Sequence, residues 1–425
     1  MKGPRLALLG VVSLTATGLV IGSALRDDQR GEALAAAAAL SRASAVAPVA
    51  APATTAPTTT PAVRHAPAHT HTQASGGDTS ASAPSPDSGQ VTDTTPAAPK
   101  KKSSPAPTTP VATSKVKHVF LIVLTSPGYD ATFGQGAASA PYLNQQLRPK
   151  GQLLTGYRAL PGSDLPNYVA MISGQPPNAA TSANCTTYSE FPSSAKTNKA
   201  GVVSGDGCVY PVDTLTLADQ LTSAAHTWKA YEEDMAATCQ HPDSGQPDDT
   251  QQGRPGDEYA ARHNPFAYFH SLLDLGDCAS NDVPLTKLGG DLASVKTTPS
   301  LSFIAPNLCH DGSDLTCADG TPGGLAAADT FLSQLVPQIL ASPAYKKDGL
   351  LELVFAAGPP VDPSGLVGAL LVSPFITAGS TDATGYGPYS LLRTNEDIFG
   401  LGHLADAGGD KVKSLGGGFV TGAGD

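Results

Sequence analysis

Residues 117–124 read KHVFLIVL. After one lysine and one histidine, six apolar side chains follow without a polar break. A half-buried strand would alternate, so an uninterrupted run of this length belongs in a sheet covered on both faces. A second run, GLLELVF at 349–355, has the same texture, and Gly358-Pro359-Pro360 ends it.

The stretches around these two runs supply the alternation that a parallel sheet needs. LTLADQLTSAAH (215–226) reads as a helix and TWKAYEE (227–233) as a strand. PSLSFIAPN (299–307) reads as a strand that ends at a turn. LAAADTFLSQLVPQIL (325–340) carries Phe331, Leu332, Leu335, Val336, Ile339 and Leu340 at helical spacing. LVGALLVSPF (366–375) is a further strand and YSLLRTNEDIFGL (389–401) a further helix. Strands alternating with helices predict an α/β fold around a central, mostly parallel sheet. Residues 175–300 are richer in turn formers and hold four cysteines, which predicts a loop-rich, disulfide-bearing insertion or cap near the strand tips.

Outside 115–425 the chain changes character. Residues 1–30 hold a basic start, MKGPR, and an apolar run from Leu6 to Leu25, the pattern of an export signal. Gly22-Ser23-Ala24 would permit cleavage, while Arg26-Asp27-Asp28 would stop transfer, so a cleaved signal and a retained N-terminal membrane anchor are both open. Either places the bulk of the protein outside the cytoplasm, extracellular or at the cell surface. Residues 31–114 form an Ala/Pro/Thr-rich segment, with tracts such as APVAAPATTAPTTTPA, expected to be a disordered, extended linker. His65, His69 and His71 within it read as solvated linker histidines.

The net charge is −11, and it is unevenly shared. Residues 1–114 carry nine Lys/Arg and six Asp/Glu, which leaves 17 basic and 31 acidic residues for 115–425. A domain that acidic is a poor partner for phosphate backbones, so no nucleic-acid partner is expected. All six cysteines lie in 115–425, and none forms a C-x-x-C pair. On an exported chain they favour disulfides, and proximity suggests Cys185–Cys208, Cys239–Cys278 and Cys309–Cys317.

Several stretches taken together resemble the bacterial phosphoesterase family of acid phosphatases and phospholipases C, within the alkaline-phosphatase-like superfamily. They are KHVFLIVLTSPGYDATFG, LPNYVAMISGQ, TWKAYEEDM, DEYAARHNPFAYFHS, SFIAPNLCHDGSD and GALLVSPF…YSLLRTNEDIFGL, in the family's order from Lys117 to about Ala405. The resemblance implies an α/β sandwich with a metal-dependent phosphoester site at the strand tips. Divalent metals there would neutralise an anionic ester and activate a hydroxyl nucleophile.

At the positions that carry this chemistry the chain departs from the family. Where a Glu-Asn pair is expected after the first strand stand Thr125 and Ser126. The nucleophile position, three before Asn167, is Asp164, with Ser163 beside it; both also suit capping of a helix that begins near Pro166. After His310 and Asp311, a second histidine is replaced by Ser313, followed by Asp314. The late strand's Asp-Glu pair is Ala356-Ala357, whose methyl groups ligate nothing. His241 and His263 stand where the family keeps histidine. Trp228 and Tyr231 read as packing, and Glu232, Glu233 and Asp234 as a solvated strand end.

These losses predict an exported phosphoesterase-like protein without hydrolytic activity and with no resident cofactor. It would bind a phosphorylated or cell-surface ligand near Asn167, His263, His310, Asp311 and Asp314. The alternative is a divergent phosphoric-ester hydrolase that uses Asp164 or Ser163 and a divalent metal. A structural envelope protein is a third reading.

Overall fold

The computed structural model describes residues 114–125, 127–313, 316–356 and 364–416. The signal or anchor segment and the linker with its histidines lie outside these residues, as do Ser126, Asp314 and Ala357. Among the described residues, no helix is long and apolar enough to cross a membrane.

The core is an eight-stranded sheet. In chain order its strands are β1 (His118–Leu124), β2 (Gln152–Leu154), β3 (Trp228–Glu232), β4 (Asp282–Pro284), β5 (Leu301–Ala305), β6 (Gly349–Phe355), β7 (Ala369–Val372) and β8 (Ser380–Asp382). Their spatial order is β8-β2-β7-β6-β1-β5-β3-β4. β1 lies in the centre, parallel to β5 with Ile122 opposite Ile304, and parallel to β6 with Leu124 opposite Phe355. β7 pairs antiparallel with both of its neighbours, β6 and β2. Every residue of β1, β5 and β6 is buried, as continuous apolar runs in a two-sided sheet require.

Five helices matter for the site: α1 (Asp164–Ser173), α2 (Leu217–Ser223), α3 (Gly324–Ala341), α4 (Pro343–Asp348) and α5 (Pro388–Phe399). α1 packs against α2 and α5, and α3 against α4 and the turn at Tyr142–Leu147. On α3 the expected face is buried through Phe331, Leu332, Leu335, Val336 and Ile339, with Leu340 at its margin. α5 starts with proline in its first turn and ends at Gly400, which takes the left-handed conformation favoured by glycine.

The loop-rich, disulfide-bearing region at 175–300 is interrupted by strands of the sheet. Within 175–300 the chain returns to the sheet twice, as β3 and as the three-residue β4, and the loops fall between these returns. The structure forms Cys185–Cys208, Cys239–Cys278 and Cys309–Cys317, the state that an oxidising compartment maintains.

A buried acid sits on β6, beside the central strand β1. Glu352 of β6 is fully buried, and Asn395 of α5 donates Nδ2 to its Oε2 at 3.0 Å. Burial pushes its carboxyl from 4.5 up to about 8, against the pull of Asn395.

Candidate functional site

Parallel strands place their carboxyl ends on one edge of the sheet, and ligands of open α/β sheets bind beyond that edge. Thr125 follows β1 directly, and its N–H donates to the Asp311 carbonyl at 2.6 Å. That bond ties the tip of β1 to the loop after β5. Gly312 makes the close approach possible: its φ is +97°, and a Cβ there would lie 2.4 Å from the Thr125 carbonyl oxygen.

The tie delivers Asp311 into the interior. Its side chain is buried, and Oδ1 accepts the Ser313 N–H at 2.7 Å. Oδ2 has no hydrogen-bond partner and lies 3.9 Å from His263 Nε2. Burial pushes the carboxyl upward, and the His263 charge opposes the shift. His263 ends a single helical turn, Ala261–His263, and stacks on Tyr168 of α1 with ring centroids 5.1 Å apart. Its Nε2 is 3.5 Å from Asp164 Oδ2, an ionic approach rather than a hydrogen bond, and its buried Nδ1 is unpartnered.

Asp164 is the first residue of α1, where a carboxylate meets the positive end of the helix. Arg262 Nε donates to its Oδ2 at 3.2 Å, and Arg262 Nη1 donates to the Gln251 carbonyl at 3.0 Å. Burial raises the Asp164 carboxyl, but His263 and Arg262 outweigh it and hold the group below the usual carboxylate range. Arg262, only 6% exposed, is therefore a fixed cation at the start of α1.

The remaining expected positions divide. Ser163 occupies the N-cap position of α1 but does not cap it: its hydroxyl donates to the Ser182 carbonyl at 2.8 Å. Asn184 Oδ1 accepts the Leu165 N–H at 3.1 Å instead, so a neighbouring loop supplies the cap. Asn167 is fully buried and committed within its own loop. Its Oδ1 accepts the Leu160 N–H at 2.7 Å, and its Nδ2 donates to the carbonyls of Leu160 and Ser163, both at 3.2 Å. It positions the loop before α1 and has no group left for a ligand.

His310 and Asp311 do not act as one cluster. The His310 imidazole stacks on Phe331, and Nδ1 lies 3.0 Å from Glu233 Oε1. The Glu233 carboxylate raises the imidazole above its ordinary range, against desolvation. Glu232 is not solvated: it is 1% exposed and its Oε1 is unpartnered, because β4 and the loop at 259–264 cover the end of β3. His241 is exposed and stacks on Tyr188. At the tip of β6, Ala356 is buried and offers only its methyl.

Sequence reasoning missed Arg262. It stands directly before His263 in DEYAARHNPF, a guanidinium in a domain where acids outnumber bases, and that pairing was the available signal.

The donors at these tips can be compared with what divalent phosphoester chemistry needs, which is several carboxylates and imidazoles converging on one point. Among the described residues, the cluster at the strand tips has Thr125, Asp164, His263 and Asp311. Asp164 is already ion-paired with a guanidinium, and Thr125 offers a neutral hydroxyl, buried and unpartnered. A catalytic metal centre does not fit this set, because Arg262 already supplies positive charge at its most acidic member. What these strand tips hold is a buried, mixed-charge cluster with unpartnered atoms on His263, Asp311 and Thr125.

Comparison with known proteins gives this geometry a context. The model of the Phosphoesterase family matches residues 145–402. The chain is 25% identical over 279 residues to the phosphate-repressible acid phosphatase of Penicillium chrysogenum, across 64% of this chain and 58% of that protein. It is 23% identical over 297 residues to a probable acid phosphatase of Kluyveromyces lactis, across 69% of this chain and 61% of that protein. The chain thus spans about three fifths of each relative's length. Among solved structures it is similar to a protein in the alkaline phosphatase superfamily from Vibrio parahaemolyticus, with a TM-score of 0.45 and 12% identity over 73% of this chain and 74% of that one.

Proposed function

The chain belongs to the Phosphoesterase family, and on that premise we propose that it is an exported binding protein in which a phosphoester site has lost hydrolysis. The family match and the acid phosphatase relatives support a phosphoesterase-type site. The finer reading rests on one observation: where the family resemblance places a hydroxyl nucleophile, this chain has Asp164, held by Arg262 at 3.2 Å. A carboxylate engaged by a guanidinium is a poor nucleophile, and the tip of β6 adds no charge to replace what is missing. A single well-placed electrostatic group contributes about 3–4 kcal/mol to such reactions, so several absent together leave little metal-assisted turnover.

The ligand expected is a phosphorylated or cell-surface molecule held without cleavage. Its contacts would come from the mixed-charge floor and from His310 at the rim. The export-like segment, the linker and the disulfides support a function outside the cytoplasm in this reading.

A divergent hydrolase is the second reading, favoured by the unpartnered atoms of His263 and Asp311 beside Asp164. Turnover of p-nitrophenyl phosphate across pH, with Mn²⁺, Zn²⁺ or Ca²⁺ added, separates the two. The binding-protein reading expects no rate above buffer and metal alone. Turnover that Asp164→Ala or His310→Ala abolishes would overturn it.

A further inference from the structure

A second acidic group lies near the β4 edge of the sheet, and nothing at the cleft floor uses it. β3 and β4 pair in parallel with Ala230 opposite Asp282 and Glu232 opposite Pro284. Residues two apart share a face of a strand, so Glu232 and Asp282 project from the same face as diagonal neighbours. Both are buried, at 1% and 0% exposure. Asn264, also fully buried, donates Nδ2 to Asp282 Oδ2 at 2.7 Å and to the Tyr259 hydroxyl at 3.0 Å. Three acceptors of this group have no hydrogen-bond partner: Glu232 Oε1, Asp282 Oδ1 and Asn264 Oδ1.

Two neighbouring carboxylates without a counter-charge are strongly disfavoured in a protein interior. A proton shared between them would serve two of the three oxygens. It would leave one negative charge and the Asn264 oxygen unsatisfied. A divalent cation would neutralise both acids and engage all three oxygens. We propose that Glu232, Asp282 and Asn264 form a structural site for a hard divalent cation, with Ca²⁺ the best fit.

An all-oxygen set selects hard cations. Mg²⁺ demands a near-ideal octahedron and gives up water reluctantly, whereas Ca²⁺ accepts irregular, largely protein-supplied coordination. The neighbouring sulfurs do not compete. Cys278 Sγ lies 3.7 Å from Asp282 Oδ2 but is bonded to Cys239. The Cys239 N–H donates to the Asp282 carbonyl at 3.1 Å, which anchors the loop beside the site. A cavity of about 660 Å³ is lined by Glu233, Asp234, Met235 and Pro284, close in the chain to Glu232 and Asp282. Glu233 and Asp234 would concentrate cations at its mouth. A bound ion would tie the loop at 259–264 to the outer strands.

The test uses the full chain, stripped with a chelator and then titrated with Ca²⁺. Mass spectrometry should find one calcium per chain, and the melting temperature should rise by about 5 °C at saturation. Tb³⁺ in place of Ca²⁺ should luminesce under excitation of tyrosine, with Tyr259 as the near donor. Glu232→Gln and Asp282→Asn keep the shape while removing one charge each, and both should lose calcium and Tb³⁺ emission. Asp311→Asn, at the strand-tip cleft, should retain them. The proposal is overturned if the parent chain binds no calcium and its melting point does not move. It is equally overturned if both charge-removal variants still bind, or if Asp311→Asn alone abolishes binding. That last result would place the ion in the cleft and count against the binding-protein reading instead. Should either variant fail to fold, the parent's stoichiometry and Tb³⁺ emission decide.

Discussion

Arg262 donates to Asp164 across 3.2 Å from a turn that is nearly a hundred residues further along the chain. This pair fixes the start of α1 against the loop that carries His263, and it decides the charge of the cleft floor. Its removal should be felt as stability before it is felt as binding. Arg262→Ala leaves a largely buried carboxylate without its partner, and urea unfolding should show a loss of about 3 kcal/mol. Asp164→Asn leaves the buried Arg262 charge without its counter-ion and should cost about 3 kcal/mol as well. Losses below about 1 kcal/mol in both variants would show that the ion pair does not hold this junction.

Gly312 should tolerate no side chain. Gly312→Ala adds a Cβ 2.4 Å from the Thr125 carbonyl at a φ of +97°, so either the loop shifts or the Thr125–Asp311 bond breaks. A destabilisation of about 3 kcal/mol is expected. Amide exchange should quicken at Thr125 in particular, because that N–H donates to the displaced loop.

Glu352 predicts a pH dependence of definite sign. Its carboxyl goes from 4.5 in the unfolded reference to about 8 in the fold, so between these values the native state holds a proton that the unfolded chain has released. Its contribution is complete below about pH 4.5 and is lost as pH rises through about 8, at up to about 1.4 kcal/mol per pH unit. Glu352→Gln keeps an acceptor for Asn395 and cannot ionise, so chemical denaturation from pH 5 to 8 should give a flatter curve than the parent. Parallel curves for the two proteins would show that this acid does not titrate on unfolding.

Cys309–Cys317 closes a short loop, with eight residues of separation, directly around Asp311. Replacing both cysteines by serine should cost about 2–3 kcal/mol through the freedom regained by the unfolded chain. The cleft floor should loosen with it, visible as faster amide exchange at Ser313. An unchanged melting temperature would contradict this.

The long strands were legible because burial on both faces leaves a mark in composition: β1, β5 and β6 are apolar runs with almost no choice of partner environment. Gln152–Leu154, Asp282–Pro284 and Ser380–Asp382 are three residues each, too short to show any period, and their neighbours define them. The chemistry of the site divided along similar lines. Residue types at motif positions were readable, including the methyl at Ala356. Their partners were not. His310 turns to Glu233, 77 residues away, and Asn167 spends itself on its own loop. Glu232 looked solvated because the end of a strand usually is; the cover comes from β4 and from Asn264's loop, which only tertiary packing brings there.

The three cystine bridges join loops and, at Cys278, the short helix Asp277–Asn281, and none reaches β2, β7 or β8. A thiol reagent would therefore act on only part of the molecule. The segments around Asp311 and Asp282 would gain freedom, while the β7–β2–β8 side would keep its hydrogen-bonded ladder intact. Limited digestion after mild reduction should accordingly nick the loops first and release a trimmed sheet, rather than degrade the whole molecule at once.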